Sequence, residues 1–466
     1  MILHRVAKGD KANTSRYAIR LPGTDLEATF RQSLRDLIQA TPALQVSIRG
    51  EDSKTSVFVR GGEMKVSDHL RWTKVGPGDE TEPLLRTLEE QHGRAWPDVH
   101  RRPPWTVICT EFAPQSGPED TDTTAEVEVT FAVHHAVADG LSTVVFHQQL
   151  LEALNRRLGD DNTGNADHLI MIEDEVILDP PVDKVISFEL SWSFFLSTLW
   201  NEFGPRLPFS AALVPPWTGS VVATERNTVN IRLIELPSSA AAELLMRCKA
   251  EKATPTSLLH GIIAYSFSRQ LPAEAAESFV AQTSISLRPY MRSDANAQNL
   301  IGGYCTSQSH PIAPSTVLAL RSASSPIAQM PAEIEIIKLA RTIKADLRQR
   351  LASLPKDDGN GLLPYVSDWR ERWNKMLGQR RNVTWEVSNL GAIACKPTQG
   401  EVRCEINRVL LTQSANVGGP AMSVNVAGVK GGALAVTVCW QEGVIEVAVM
   451  EGLAEDLELW LGRLGS

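Results

Sequence analysis

The stretch from Glu126 to Leu154 constrains the fold most, because an alternating segment passes through a short loop directly into a helical pattern. Valine and phenylalanine occupy every second position from Val127 to Val133, which predicts a half-buried β-strand. From Leu141 to Leu154 apolar residues recur at helical spacing. The residues between them, His-His-Ala-Val-Ala-Asp-Gly, therefore lie on a strand-to-helix turn between rigid elements, where catalytic groups are often placed.

The side chains of this loop suit proton transfer. Imidazole has an unperturbed pKa of about 6.5, so it can take a proton from an alcohol or amine near neutral pH and pass one to a leaving group. His134 and His135 are adjacent, so only one of them is expected to point into a site. Gly140 follows Asp139 and predicts a tight backbone turn beside the histidines.

Structural roles and a metal site are alternatives for the same residues. Asp139 directly precedes the predicted helix and is a favoured type of N-cap residue. Either histidine can be an ordinary loop residue. Two His and one Asp are also the ligand types of an open iron site, but the side chains of His134 and His135 diverge, and no further cluster with ligand spacing follows. The sequence therefore predicts no bound metal.

Length and composition indicate a large globular protein. A chain of 466 residues exceeds one ordinary core, which predicts two domains. The net charge of -9 argues against a nucleic-acid partner, which would favour a basic surface. Six cysteines without a Cys-x-x-Cys pair indicate neither a zinc site nor a disulfide framework. Polar and charged residues from His4 onward interrupt any apolar signal-peptide core, so a cytoplasmic protein is expected.

One apolar stretch, from Val185 to Trp200, is rich in Phe, Leu and Trp. Glu189 interrupts it, and it is shorter than the ~20 residues that a membrane span needs, so no transmembrane segment is predicted. It can form a wall of an apolar pocket, a membrane-surface helix or a helix buried in a domain contact. The last interpretation is favoured, because a membrane-surface helix would need a face rich in Lys and Arg.

The remaining patterns predict two lobes joined by a crossover. A helical stripe over 26–38 and an alternating segment over 44–48 predict a helix and a strand that support the loop within an N-terminal lobe, residues 1–160. Residues 161–228 are acidic and Pro-rich, as is typical of a crossover. Residues 229–466 resume strand and helix patterns and form the predicted C-terminal lobe.

The loop resembles the motif of the His-His-x-x-x-Asp-Gly acyltransferase superfamily, which includes plant acyl-CoA acyltransferases, fungal alcohol and trichothecene acetyltransferases, and peptide-synthetase condensation domains. The resemblance implies that His135, the second histidine, is the general base and that Asp139 orders the loop through an arginine. It also implies two α/β lobes like chloramphenicol acetyltransferase, each with a mixed sheet covered by helices, and an active-site channel between the lobes.

The second half of the chain resembles the second lobe of the same superfamily. A helix, a Thr-Pro-Thr turn and an apolar helix precede a strand that ends in Ser-Leu-Arg-Pro-Tyr. The resemblance makes Arg288 the ion-pair partner of Asp139. The alternative is a surface arginine beside a proline turn.

Two later segments bear on the branch of the superfamily. Trp-Glu-Val-Ser-Asn-Leu-Gly at 385–391 resembles a segment that lies near the motif histidine in the fungal enzymes, so Ser388 or Asn389 is a candidate donor to an oxyanion. Asn-Leu-Gly is equally compatible with a plain turn. The plant segment Asp-Phe-Gly-Trp-Gly is absent, and its nearest counterpart at 413–420 favours the fungal type.

The function implied by the resemblance is transfer of an acyl group, expected to be acetyl, from acyl-CoA to a hydroxyl of a small-molecule secondary metabolite, with a monomeric enzyme and no permanently bound cofactor. CoA is anionic, so this acidic protein must supply local cations. The candidates are Arg247, Lys249, Lys252, Arg380, Arg381 and Lys396. Alternatives are a carrier-protein thioester donor, an acyl-free cyclisation or elimination in the same fold, and a non-catalytic binding module.

Overall fold

The structure is a computed structural model of the 466-residue chain. It describes residues 10–20, 25–60, 63–76, 80–96, 98–113, 124–158, 170–171, 178–204, 215–223, 228–292, 296–324, 330–397, 401–414 and 417–465.

The strands form two large mixed sheets and two short pairs. In chain order the described strands are β1 Asp10–Ile19, β2 Val46–Arg49, β3 Val57–Arg60, β4 Glu63–Met64, β5 Leu70–Val75, β6 Trp105–Phe112, β7 Ala125–His134, β8 Ile170–Met171, β9 Val229–Leu236, β10 Phe279–Ser286, β11 Cys305–Ile312, β12 Trp385–Ile393, β13 Cys404–Gln413, β14 Met422–Val429 and β15 Leu434–Gln441. The first sheet has the order β13-β1-β7-β6-β5, and the second has the order β11-β10-β12-β14-β15-β9. Each sheet contains both parallel and antiparallel neighbours.

Helices cover the sheets and bury their apolar faces. In chain order the described helices are α1 Leu26–Ala40, α2 Thr81–Gly93, α3 Gly140–Arg157, α4 Val182–Val185, α5 Trp192–Phe203, α6 Ser238–Ala250, α7 Pro255–Gln270, α8 Pro314–Ser322, α9 Met330–Ser353, α10 Trp369–Asn374 and α11 Val447–Leu464. Short 3₁₀ helices lie at Pro42–Gln45, Val66–Asp68, Arg288–Tyr290 and Gly359–Tyr365. α1 and α3 share one core with the first sheet, and α7, α9 and α11 share another with the second. This arrangement confirms the predicted α/β class.

The C-terminal half of the chain contributes one strand to the first sheet. β13 pairs antiparallel with β1, and Thr14 faces Leu410 in this register. The linear division of the chain at 1–160, 161–228 and 229–466 remains a prediction, and the position of β13 shows that the sheets do not follow it strictly. A local sequence pattern cannot reveal that β13 joins the first sheet, because the pattern does not show which strand is the pairing partner.

β7 is buried on both faces, so the prediction of a half-buried strand was wrong. Val129 and Phe131 belong to the core under α3, as the alternation indicates. On the other face Ala132 is fully buried in a cluster with Leu88 of α2 and Ile231 of β9. The face that the alternation assigned to solvent is therefore covered by a cluster to which α2 and the second sheet both contribute.

The apolar stretch from Val185 to Trp200 begins with buried residues, since Val185 and Ile186 belong to a core cluster. Its helical part, α5, is largely exposed, so the interpretation as a buried helix was wrong for α5. α5 begins after Ser191, which accepts a hydrogen bond from the amide of Phe194. Trp192 is 79% exposed and Trp200 is 55% exposed. Among the described residues, no helix combines the length and apolarity needed to cross a bilayer.

A buried histidine joins α3 to β1 and so supports the loop that precedes α3. His147 Nε2 lies 3.0 Å from the carbonyl oxygen of Asn13. Because a carbonyl only accepts, Nε2 carries the proton, and Nδ1 can accept from the Tyr17 hydroxyl at 2.9 Å. Burial lowers the pKa of His147 to about 4, so the ring is neutral at neutral pH.

A second buried histidine, His92, lies in α2. Burial and, to a smaller extent, the charge of Lys11 lower the pKa of His92 to about 3.

Protonation of the unfolded chain at these two histidines is expected to destabilise the fold in mild acid. An unfolded histidine, with a pKa near 6.5, binds a proton that His147 and His92 do not bind in the folded protein. Their contribution to stability is complete above pH 6.5 and is lost as the pH falls toward 4, at about 1.4 kcal/mol per pH unit for each ring. Chemical unfolding at a series of pH values measures this slope.

A variant comparison separates the histidines from other titrating groups. Asp10 acts in the opposite direction, because burial, partly offset by the Trp96 hydrogen bond, raises its pKa to about 8, but it contributes equally in every variant. His147→Gln should have a shallower slope between pH 6.5 and 4 than the native protein. The exposed His100 provides the control, and His100→Gln should retain the native slope. A native slope in His147→Gln would contradict the prediction.

Candidate active site

The loop lies where β7 ends and α3 begins. Its turn is closed by a hydrogen bond from the amide of Val137 to the carbonyl oxygen of His134. The amide of His134 donates to Pro104, which ties the end of β7 to the neighbouring strand connection. The strand-loop-helix order predicted from the sequence is therefore present.

The two adjacent histidines have different environments. His134 is 8% exposed, and its Nδ1 accepts a hydrogen bond of 2.9 Å from the amide of Ala136. His135 is partly exposed and lines a cavity. His135 Nδ1 lies 2.9 Å from the carbonyl oxygen of Ala138, so Nδ1 donates and the lone pair of the neutral ring is on Nε2. The loop thus holds His135 in the tautomer that a general base uses at Nε2.

Asp139 is both an N-cap and an ion-pair partner, so the two interpretations of this residue hold together. Its Oδ1 accepts from the amide and the hydroxyl of Ser142, each at 2.8 Å. Its Oδ2 accepts from Arg288 Nη1 at 2.8 Å and from the amide of Tyr304 at 2.9 Å. Five donors, including Arg288 Nη2 at 3.1 Å, therefore surround one buried carboxylate.

Arg288 follows β10 of the second sheet, and its hydrogen bonds connect the loop to that part of the chain. Its side chain is 9% exposed, and it also donates to the carbonyl oxygen of Leu300 at 3.2 Å. The guanidinium lies over the ring of Tyr304, with 5.2 Å between the guanidinium carbon and the ring centroid. The amide of Asp139 in turn donates to Gly302 at 2.9 Å. The loop is therefore bonded to the segment that follows β10.

Gly140 lies at a close approach to β12. It does not have a positive φ, and the tight turn predicted beside the histidines is closed by the Val137 amide. A Cβ at this position would lie 3.0 Å from Leu390 Cδ2 in β12. The absence of a side chain lets β12 pass directly beside the start of α3.

A cavity of about 530 Å³ brings the predicted loop together with residues of the second sheet. Six of the predicted site residues line it, namely His135, Asp139, Gly140, Arg288, Ser388 and Asn389. Its volume is in the range of small-molecule sites.

Ser388 and Asn389 of β12 differ in the hydrogen bonds of their side chains. Asn389 Nδ2 donates to Thr256 Oγ1 at the start of α7, and its Oδ1 accepts from the amide of Gly391. Gly391 has a φ of 75° at an irregularity in the pairing of β12 with β14. Asn-Leu-Gly is therefore a bulge within a strand, and the amide of Asn389 helps to hold it. Ser388 lines the cavity, and its side chain makes no such contact with the described residues.

The structure does not bring Arg247, Lys249 and Lys252 to the cavity. They lie at the end of α6 and directly after it, and Arg247 pairs with Glu333 at 2.8 Å. Of the other proposed cations, Arg381 is buried and donates to the carbonyl oxygens of Val417 and Gly419, and burial lowers its pKa to about 10. The contact of CoA with Arg247, Lys249, Lys252, Arg380, Arg381 and Lys396 remains a prediction. The residues that line this cavity do not support it, because none of the six is among them.

Sequence reasoning missed several polar residues that line the cavity. These are Lys11, Gln282, Ser284, Arg372, Glu386 and Gln413. One signal was present, because Glu386 lies two positions before Ser388 and alternation places both on the same face of β12. None of the described cysteines forms a disulfide, and Cys305 lines the cavity. Within the described part of the chain, no group of three or more His, Cys, Asp or Glu side chains is arranged to hold a metal ion.

Solved structures with the same architecture define the class of fold. TRI3 trichothecene 15-O-acetyltransferase from Fusarium sporotrichioides aligns with a TM-score of 0.70 at 15% identity, covering 98% of this chain and 91% of that one. The first condensation domain of the calcium-dependent antibiotic synthetase aligns with a TM-score of 0.59 at 16% identity, covering 99% and 92%. The fold is the predicted two-lobed chloramphenicol acetyltransferase-like fold.

Sequence comparison then identifies the family. The sequence model named alcohol acetyltransferase matches residues 95–311. Probable alcohol acetyltransferase FCK4 of Fusarium pseudograminearum (strain CS3096) is 30% identical over 448 residues, which cover 94% of this chain and 86% of that protein. Probable alcohol acetyltransferase crmB of Aspergillus fumigatus is 25% identical over 385 residues, which cover 80% and 75%. The chain belongs to the alcohol acetyltransferase family.

Proposed function

We propose that this protein transfers an acetyl group from acetyl-CoA to a hydroxyl of a small molecule, with His135 as the general base. The observation that carries the proposal is the tautomer of His135, which lines the cavity. Its Nδ1 proton is engaged by Ala138, so the lone pair on Nε2 can receive a proton. Both relatives are named probable alcohol acetyltransferases, and these names support an alcohol acceptor and an acetyl group.

The reaction proceeds by direct attack. His135 Nε2 takes the hydroxyl proton as the alcohol oxygen bonds to the thioester carbonyl carbon, which forms a tetrahedral oxyanion. The oxyanion collapses, the carbon-sulfur bond breaks, and the imidazolium returns its proton to the CoA sulfur. No acyl-enzyme is formed. Holding both substrates in one cavity removes much of the entropic barrier to their encounter.

Polar residues of the cavity have separate roles in this proposal. Ser388 is the better candidate to donate a hydrogen bond to the oxyanion, because the Asn389 amide already bonds to Thr256. Lys11 and Arg372 line the cavity and place positive charge near the anionic donor. Asp139 and Arg288 act as positioning residues, since they hold the His135 loop against the second sheet.

The acceptor is proposed to be a secondary metabolite, and the enzyme to act in the cytoplasm as a monomer. The second candidate function is condensation with a carrier-protein thioester, which the structural likeness to condensation domains favours. The two candidates differ in the donor. Free acetyl-CoA would support turnover only in the first.

Initial rates distinguish direct transfer from its alternatives. With acetyl-CoA and a panel of alcohols, release of free CoA thiol should match ester formation, and double-reciprocal lines at varied donor and acceptor should intersect. Prior chelation should leave the rate unchanged.

Other outcomes would contradict the proposal. Parallel lines, together with an acyl-cysteine that forms and decays at the turnover rate, would indicate a covalent route. Activity with a carrier-bound thioester but not with acetyl-CoA would support the condensation alternative.

A further inference from the structure

One wall of the cavity is a polar surface formed by neighbouring strands of the second sheet. In β10 the residues alternate, so that Gln282 and Ser284 are partly exposed while Thr283 between them is buried. β12 runs parallel to β10 with Gln282 beside Glu386. Gln282, Ser284, Glu386 and Ser388 all line the cavity that His135 also lines. This face therefore offers hydroxyls, an amide and one carboxylate to a bound molecule.

Glu386 differs from most other buried carboxylates of the protein. It is 8% exposed, and its Oε1 accepts a hydrogen bond of 2.7 Å from Ser284 Oγ. Four other buried carboxylates each pair with an arginine: Glu128 with Arg408, Asp139 with Arg288, Asp358 with Arg350, and Asp456 with Arg269. Among the described residues Glu386 has no ion-pair partner and only the serine donor. Asp10 is buried as well, but it accepts from the Trp96 indole and does not line the cavity.

A buried carboxylate that has one hydrogen-bond donor can accept further hydrogen bonds. Its two oxygens offer about four lone-pair positions, and Ser284 occupies one of them. Leaving a buried charged group short of hydrogen bonds is unfavourable, so a donor brought by a ligand stabilises it. Because Glu386 lines the cavity, such a ligand group lies in the same cavity as His135.

We propose that Glu386 binds a second hydrogen-bond donor of the acceptor, so that the preferred acceptor is a diol or an amino alcohol rather than a simple alcohol. This inference rests on the proposed function and names its substrate class. The acceptor hydroxyl gives its proton to His135 while its neighbouring hydroxyl or ammonium group donates to Glu386. Ser284 donates to Oε1 of the carboxylate and so restrains its orientation.

Three acceptors with one ring test the preference: cyclohexanol, its vicinal diol, and its vicinal dimethylamino alcohol, whose tertiary amine cannot form an amide. With the native enzyme and acetyl-CoA, kcat/KM is expected to be about 10- to 100-fold higher for the second and third than for cyclohexanol, the size of one hydrogen bond to a charged group. Calorimetry of each acceptor with the native protein measures the same preference without turnover.

Variants of Glu386 distinguish the effect of its charge on the acceptor preference from the effect of its hydrogen bonding. Glu386→Leu should bring both ratios close to one, in kcat/KM and in binding. Glu386→Gln retains a carbonyl acceptor, so it should keep most of the diol preference and lose most of the preference for the ammonium compound. Ser284→Ala should reduce both ratios less than Glu386→Leu. Glu401→Gln, which changes a glutamate that is 73% exposed outside the cavity, should keep the native ratios.

The outcomes distinguish this inference from the proposed function. If Glu386→Leu retains the native ratios, or if the native enzyme shows no preference, Glu386 is not the anchor, although acyl transfer itself stands. If the folded native protein acetylates none of these or other alcohols, the proposed function fails. The binding ratios still decide the role of Glu386 in that case, because calorimetry needs no turnover.

Discussion

His135→Ala is expected to lower kcat by about 10²- to 10⁴-fold, the usual contribution of a general base. The side chain is partly exposed in the cavity, so its removal should leave the thermal unfolding temperature close to the native value. Single-turnover measurements with saturating acetyl-CoA test this effect, because they report the chemical step rather than product release. Near-native turnover in this variant, where chemistry limits the rate, would exclude the proposed mechanism.

His134→Ala is the matched control, and the opposite pattern is expected for it. His134 is buried and its ring accepts the amide of Ala136, so its loss should destabilise the loop. The unfolding temperature should therefore fall, while kcat of the remaining folded enzyme falls less than in His135→Ala. If the two variants lose turnover equally and both stay stable, His135 is not the specific base.

Asp139→Asn and Arg288→Met are each expected to lower the free energy of unfolding by about 3 kcal/mol, because each leaves a buried ionic partner uncompensated. Both variants should also lose activity, since the pair holds the loop that carries His135. Denaturant unfolding measures the stability, and steady-state kinetics measures the activity of the folded fraction.

The double variant tests whether the two residues act through their contact. Its loss of stability should be smaller than the sum of the single losses by about 1 kcal/mol or more. The exposed pair of Arg20 and Glu405 is the matched control, and Arg20→Met should change stability by less than about 1 kcal/mol. Additive losses in the Asp139–Arg288 cycle would instead mean that Asp139 acts only as the cap of α3.

Local patterns predicted the elements around the loop well. The apolar stripe at 26–38 corresponds to α1, and the alternating segment at 44–48 overlaps β2. The motif itself lies between β7 and α3, as the change of period indicated. These predictions succeeded because a strand or helix that buries one face repeats its apolar residues at a fixed spacing.

The contacts of the site were predicted only in part. The resemblance to the acyltransferase superfamily gave Arg288 as the partner of Asp139, and the structure contains that ion pair. The candidate cations of α6 do not line the cavity, and Arg247 pairs with Glu333 of α9 instead. Glu386 was not predicted, because alternation places it on the face of Ser388 but does not show that Ser284 and a cavity lie beside it.

The sequence by itself determined the order of the elements, the position of the His-His-Ala-Val-Ala-Asp-Gly loop and the chemistry that this loop can perform, because these follow from residue type and short-range spacing. Only the tertiary structure decided which surfaces are covered and which groups meet. Ala132 is buried in a cluster with residues of α2 and β9, whereas Trp192 is exposed although its segment is apolar. The physical reason is that burial and ion pairing depend on residues far apart in the chain, such as Asp139 and Arg288 at a separation of 149 positions, whose approach no local period encodes.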